Sequence, residues 1–384
     1  MNENGKILAG HSCSADARAA VAEFESQVRQ PEMALVLFFC SSAYDLAVVA
    51  AEFNKRFAGI PAVGCTTAGE IGPAGYLGRS LSGMSFPAGA CSAVAGGIDG
   101  LQSFEIAGGR AFAQELLRRL ETLAPRADAR NTFGLLLIDG LSLREEPVTH
   151  ALQDGLGGIR MVGGSAGDDL KFERTWVFHD GAFHTDSAAL VLVSTDFPFR
   201  IIKSQHFVSD GERMVVTEVD AARRVVKEIN GLPAIDEYGR IVGVPAEDLI
   251  PSHFAAWPVV VMIDGTDFVR SIQHANPDGS LTFYCAIDEG VVLRVAHGKD
   301  LLGRLEVTID ELREDLGELQ AMLGCDCILR NLEATRDGSK DAVGELFRRN
   351  NAVGFATYGE QYGGVHVNQT LTGIAIGNKR RFDD

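Results

Sequence analysis

A repeated segment restricts the fold more than any other feature. Gly64-Cys-Thr-Thr67-Ala-Gly69-Glu70 recurs 290 positions later as Gly354-Phe-Ala-Thr357-Tyr-Gly359-Glu360, and at the same offset Ser80-Leu-Ser-Gly83 falls on Thr370-Leu-Thr-Gly373. Two segments that align without a gap point to a duplicated structural unit rather than to shared composition. A weaker third copy, Gly164-Ser165-Ala-Gly167-Asp168, keeps the order hydroxyl residue, any residue, glycine, acid.

The chain before each copy has one layout. Residues 34–40 read as a buried strand, 44–57 as an amphipathic helix and 61–63 as a returning strand. Residues 133–138, 144–156 and 159–162 repeat that order, as do 327–329, 340–349 and 352–355. Such units favour parallel strands with right-handed crossovers, and ligands commonly bind at the loops that follow the strand ends. A bland reading of the repeated loop is a turn, in which glycine allows close approach or positive φ and Thr and Glu cap the backbone.

Residues 174–296 differ. They are strand-rich, with an Asp180-Gly181 hairpin turn, apolar strands at 188–193, 258–263, 267–272 and 281–286, and a helix predicted over 220–229 that stops at Asn230-Gly231. The expected fold class is α/β, with repeated strand-helix-strand units forming two mixed-sheet portions around a central strand-rich region.

Composition narrows the function. With 46% apolar and 23% charged residues the chain folds as a globule, and 384 residues call for two domains or one large one with internal duplication. A net charge of -17 opposes nucleic-acid binding. No run of about 18 apolar residues predicts membrane insertion, and the N-terminal apolar stretch is short for a secretory signal, so the expected location is cytoplasmic. Seven cysteines without CxxC spacing argue against a disulfide framework or a structural zinc site, and Cys325-Asp-Cys327 reads as ordinary strand.

Two enzymatic readings compete with a binding role. Cys65 lies on the glycine-rich loop, but the other copies carry Phe355 and, by motif alignment, Gly163 at its position, with no adjacent Cys-His-acid order. Glu70, Asp168 and Glu360 would form a crowded acid site if their loops converged, suited to acid-base chemistry or a hard cation. Neither a P-loop ending nor HExxH occurs, and no catalytic residue is expected.

Residues 64–70, 163–169, 216–220 leading into 228–234, and Gly359-Glu360 followed by 368–372 resemble the FIST family of intracellular sensors. The resemblance covers nearly the whole chain. It implies a FIST N-type sensory portion at 1–225 and a FIST C-type portion at 226–384, with output through a partner histidine kinase or cyclic-dinucleotide enzyme. Stand-alone members of the NosP type further imply haem b and a response to nitric oxide. An amino acid or another small metabolite, without haem, is the alternative ligand, and a homo-oligomer remains open.

On that footing Thr67, Gly69, Glu70, Ser165, Asp168, Thr357 and Glu360 are ligand-binding candidates by repetition and resemblance. Arg270 is a candidate partner for a carboxylate or haem propionate, against the plainer reading of a strand-edge salt bridge. A haem sensor needs an axial ligand and an apolar pocket. His206, which follows an apolar strand and adjoins Phe207, is the first candidate for the haem iron. His366, inside the repeated loop at the position of Tyr76, is the second. His274 reads as a loop residue, and His179 and His184 as exposed residues flanking a hairpin.

Overall fold

The computed structural model describes residues 5–263 and 265–378. Three units share one order of elements. The first runs β1 (Leu8–Ser12), α1 (Ala17–Val28), β2 (Met33–Ser41), α2 (Leu46–Arg56), β3 (Ala62–Thr67), a hairpin of β4 (Glu70–Gly72) and β5 (Gly75–Leu77), and β6 (Leu81–Pro87). The second runs β7 (Cys91–Asp99), α3 (Ile106–Leu123), β8 (Thr132–Ile138), α4 (Glu145–Leu156), β9 (Met161–Ser165), a hairpin of β10 (Val177–His179) and β11 (Ala182–His184), and β12 (Ser187–Thr195).

The third unit is split by an insertion. It opens with β13 (Phe199–Ser204) and leaves for a sheet built from β14 (Phe207–Asp220), β15 (Val225–Ile229), β16 (Leu232–Pro233), β17 (Val259–Ile263), β18 (Thr266–Arg270), β19 (Ile272–Ala275), β20 (Leu281–Phe283) and β21 (Val292–Gly298), with helices α5 (Ala234–Val242) and α6 (Pro251–Ala256). It then resumes with α7 (Leu301–Leu316), β22 (Leu319–Cys327), α8 (Ile328–Arg336), α9 (Lys340–Arg349), β23 (Ala352–Thr357), a hairpin of β24 (Glu360–Tyr362) and β25 (Val365–Val367), and β26 (Leu371–Gly377). Asp16, Asp45 and Asp300 cap α1, α2 and α7, each carboxylate accepting first-turn N–H groups.

The units are joined by exchange. Each builds a sheet in which β2 and β3, β8 and β9, or β22 and β23 run parallel, and each sheet is completed by another unit's hairpin. The second unit's β10–β11 pairs with β3, the third's β24–β25 with β9, and the first's β4–β5 with β23. This cyclic donation closes the units around a pseudo-threefold axis. The architecture is α/β as expected, but it holds three mixed six-stranded sheets rather than two mixed-sheet portions, because no unit completes its sheet alone.

The sheets turn apolar faces to one another. Leu37, Phe39 and Cys65 of the first, Leu135 and Leu137 of the second, and Leu323, Cys325 and Phe355 of the third share one core, in which Phe39 stacks on Phe355 at 4.6 Å. Helices cover the outer faces: α1 and α2, α3 and α4, and α7 and α9 pack on successive sheets. Cys325 and Cys327 are buried strand residues, as the sequence indicated.

Close strand packing explains the repeated glycine. Gly64, Gly163 and Gly354 lie opposite Phe38, Leu136 and Gly324, and a Cβ on any of them would collide with that residue's carbonyl oxygen.

Four readings of the sequence are corrected. Glu70 pairs with Phe355, Glu360 with Gly164 and Val177 with Cys65, so Val177 takes the acid's place in the second unit. Asp168 belongs to a loop inserted before that strand, and Gly164 rather than Gly163 matches Cys65. The predicted helix over 220–229 is a 3-10 turn followed by β15, whose Val225, Val226 and Ile229 favour the extended chain and pair with β14 and β20. The strand predicted at 327–329 is β22, which ends at Cys327, and Ile328 starts α8. The domain boundary expected after residue 225 falls at the start of β15, inside the insertion.

Candidate functional site

The strand ends β3, β9 and β23 meet on the pseudo-threefold axis through a closed set of backbone hydrogen bonds. Ala68 N donates to Ala356 O at 3.0 Å, Tyr358 N to Ser165 O at 3.1 Å and Gly167 N to Thr66 O at 3.0 Å. Bonds return from Ala356 N to Gly69 O at 2.7 Å, from Ser165 N to Gly359 O at 2.8 Å and from Thr66 N to Trp176 O at 2.9 Å. The repeated loops therefore converge as the ligand reading required.

Most of the repeated side chains face inward. Glu70 accepts from the hydroxyls of Thr67 and Ser80 and from Ser80 N, while Glu360 accepts from the Thr357 hydroxyl and Thr370 N. Both acids are fully buried, and burial pushes Glu70 up to about 7 and Glu360 well above the ordinary carboxylate range. These pairs fasten each hairpin to the next strand. Gly69 and Gly359 allow the turn with φ of +133° and +148°. Ser165 Oγ accepts from Gln361.

Asp168 does different work. It accepts from the Tyr358 hydroxyl and from the N–H groups of Phe172, Glu173 and Arg174, and these bonds hold its carboxyl below the ordinary range against burial. The loop it organises carries Asp169, Leu170 and Phe172 at positive φ, and Phe172 stacks on Tyr358 with centroids 4.6 Å apart. The three acids thus serve separate local networks. Cys65 is fully buried, and burial raises its thiol well above the usual value, opposite to the shift of an activated nucleophile.

Beside this convergence lies a cleft with two lobes. The first, about 200 Å³, is walled by Leu170, Phe172, Tyr358, Ile328, Leu329 and Tyr284. The second, about 320 Å³, adds Pro251, Ala255, Ser271, Glu333, Arg336 and Gln369. Tyr284, Leu329 and Leu332 border both lobes. One wall is α8 and the Asp168 loop, the other the inserted sheet with α6. Together the lobes match the size and mixed apolar-polar lining of small-ligand sites. Depressions of about 350 Å³ beside Arg119 and His179, and about 530 Å³ beside Arg223 and His274, do not border the converging loops.

Two tethers join the insertion to the threefold core. Ser271 N donates to Asn368 Oδ1 at 3.3 Å and Ser271 Oγ to Gln369 Oε1 at 2.7 Å. Arg224 reaches Glu145 at 2.6 Å and Glu146 at 2.7 Å, and Glu146 also accepts from Ala286 N. Arg270, expected either to hold an anion or to form a strand-edge salt bridge, is buried and donates to the backbone carbonyl of His366.

Both histidines proposed for haem iron are enclosed. His206 Nε2 lies 2.8 Å from Glu333 Oε1, and its Nδ1 lies 3.3 Å from an Arg330 Nη that can only donate. Arg330 is itself paired with Asp326, which accepts from Tyr76. His366 Nδ1 contacts Gln361, its ring fills the space a Cβ on Gly359 would need, and its Nε2 is buried without a hydrogen-bond partner. Burial holds His366 down to about 3, so it is a neutral imidazole. Neither histidine lines either lobe of the cleft, and both His206 nitrogens are engaged, so the residues as arranged do not offer an axial haem ligand there. His274 is an exposed residue of β19 rather than of a loop, and His179 is buried where exposure was expected.

The FIST N domain matches residues 34–232 and the FIST C domain residues 234–363. The chain belongs to the FIST family. FIST domains are small-ligand sensing domains, which supports a sensory role. The FIST N match takes in most of the first unit, the second unit and the start of the insertion. A solved structure titled as a cyanuric acid hydrolase formed by structural concatenation is similar at 11% identity and a TM-score of 0.32, covering 77% of this chain and 99% of that one. Comparison with curated proteins finds no match. Among the described residues, no helix is long and apolar enough to cross a membrane.

The aromatic and aliphatic walls of the cleft escaped sequence reasoning. One signal was present: at the central position of the repeat, where the other units carry Ala68 and Gly167, the third carries Tyr358. A large side chain at a position otherwise kept small marks the unit whose loop has acquired a separate task.

Proposed function

We propose that this FIST protein senses an amino acid or a similarly small amphiphilic metabolite bound in the cleft between α8 and the inserted sheet. The observation that carries this reading is the distribution of charge and apolar surface across the two lobes. The first is lined by Leu170, Phe172, Ile328 and Leu329 and takes an apolar side chain. The second places Glu333 and Arg336, opposite in charge and three residues apart on α8, beside the polar groups of Ser271 and Gln369. Glu333 Oε1 faces His206 while Oε2 is buried without a hydrogen-bond partner, an acceptor suited to a ligand ammonium group. Arg336, which pairs with the exposed Asp337 at 2.8 Å, would exchange that partner for the ligand carboxylate.

A ligand there touches both the threefold core and the insertion, so it favours whichever arrangement of the two walls it fits best. The surface formed by those walls is the proposed output, read by a partner such as a histidine kinase or a cyclic-dinucleotide enzyme. Haem and nitric oxide are not part of this proposal, because neither candidate histidine lines the cleft.

Thermal-shift screening of the full chain against the apolar L-amino acids, followed by calorimetry, tests the assignment. Saturable binding by at least one of them is expected, with Glu333→Gln weakening it about tenfold or more, the scale of a lost charge-assisted hydrogen bond. Binding unchanged in Glu333→Gln, or no binding by any member of the panel, overturns it.

A further inference from the structure

A second cluster lies away from the cleft, at the seam between two sheets. Asp99 ends β7, the edge strand of the second unit's sheet, while His179 and His184 sit on the β10–β11 hairpin that edges the first unit's sheet. Asp99 Oδ1 is 3.3 Å from His179 Nε2 and 3.3 Å from His184 Nδ1, and the three ligand atoms lie within 4.8 Å of one another.

We infer that Asp99, His179 and His184 form a binding site for a divalent transition-metal ion of the zinc type, which clips the two sheet edges together. Two imidazoles and a carboxylate are donors that such ions accept. Metal–ligand bonds of about 2.0 Å at tetrahedral angles separate neighbouring donors by about 3.3 Å, which matches both separations to Asp99. His179 Nδ1 lies 3.2 Å from Asp180, the outer carboxylate that orients a metal-bound imidazole through its other nitrogen. The fourth position is open to solvent or to another ligand.

The pseudo-threefold repeat supplies an internal control. By strand register the positions of Asp99, His179 and His184 correspond to Cys13, Gly72 and Leu77 in the first unit, and to Gln205, Tyr362 and Val367 in the third. The architecture therefore closes the other two seams without a His-His-Asp set.

Ion binding requires His184 to turn and His179 Nε2 to exchange Ser187 Oγ for the ion. The two imidazoles are stacked at 4.0 Å with planes 10° apart, and parallel rings cannot both aim a lone pair at one ion. His184 is the ring free to turn, with a side chain 29% exposed and an Nε2 that has no hydrogen-bond partner. His179 is held by burial and by Asp180 at Nδ1, and its Nε2, 2.9 Å from Ser187 Oγ, gives up that contact to the ion.

The test is a calorimetric titration of the untagged, chelator-treated full chain with Zn(II), in a Cys13→Ser background that removes the one exposed thiol among the described residues. One equivalent should bind, and Asp99→Asn and His184→Ala should each weaken binding at least tenfold while leaving circular dichroism unchanged. Co(II) should give a visible absorption band that His184→Ala abolishes. His179→Ala is the less informative variant, since that side chain is buried. No stoichiometric binding, or binding indifferent to both Asp99→Asn and His184→Ala, overturns the site.

Discussion

Phe172 stacks on Tyr358 with ring centroids 4.6 Å apart and planes 16° apart, so the second unit's loop is clamped onto the strand end of the third. Phe172 is 44% exposed and lines the first lobe of the cleft, so the stack contributes a ligand-facing wall more than core. Phe172→Ala should lower ligand affinity about tenfold, the scale of one aromatic contact, while global stability changes by less than about 1 kcal/mol. Calorimetry and urea unfolding, run on the same preparations, separate the two effects.

The buried acids predict a dependence of stability on pH. Burial pushes Glu70 up to about 7 from its ordinary 4.5, so over that interval the native state holds a proton that the unfolded chain has released. Its contribution is complete below about 4.5 and is lost as pH rises through about 7, a loss on the order of 3 kcal/mol. His366 acts in the other direction: held down to about 3, it contributes stability above its ordinary 6.5 that is lost as pH falls toward 3. Glu70→Gln, which imitates the protonated acid, should reduce the change between pH 4.5 and 7, leaving the part due to Glu360, and be more stable than the parent at pH 8, measured by urea unfolding.

Haem addition provides a discriminating control. Both His206 nitrogens contact Glu333 or Arg330, and His366 is sealed against Gly359. The expected absorption spectrum shows no stoichiometric Soret band, and any weak association should be the same in His206→Ala and His366→Ala. A saturable band that shifts under nitric oxide and disappears in one variant would restore the gas-sensor reading.

The legible part of the sequence was what the fold repeats. Gly64 and Gly354 recur because paired strands approach too closely for a Cβ, and Glu70 and Glu360 recur because each fastens a hairpin, so spacing alone exposed the unit. Hairpin exchange was not legible, since Val177 pairs with Cys65 across more than a hundred residues and leaves no local periodicity. That exchange also misaligned the weakest copy: Asp168 imitates the repeated acid in spacing, yet sits in a loop that only the second unit carries. Candidate ligand residues were chosen by repetition, which selected the fasteners. The cleft is instead lined by residues that depart from the repeat, Tyr358 and Phe172, or that lie in α8 and the insertion.

The most direct test of the cleft is a plug. Leu332 borders both lobes and is 44% exposed, so Leu332→Trp places an indole in the cleft without repacking the core. Calorimetric titration of this variant with the tightest-binding amino acid of the panel should show affinity reduced at least a hundredfold, with the unliganded unfolding midpoint unchanged. Undiminished binding in Leu332→Trp would contradict the account.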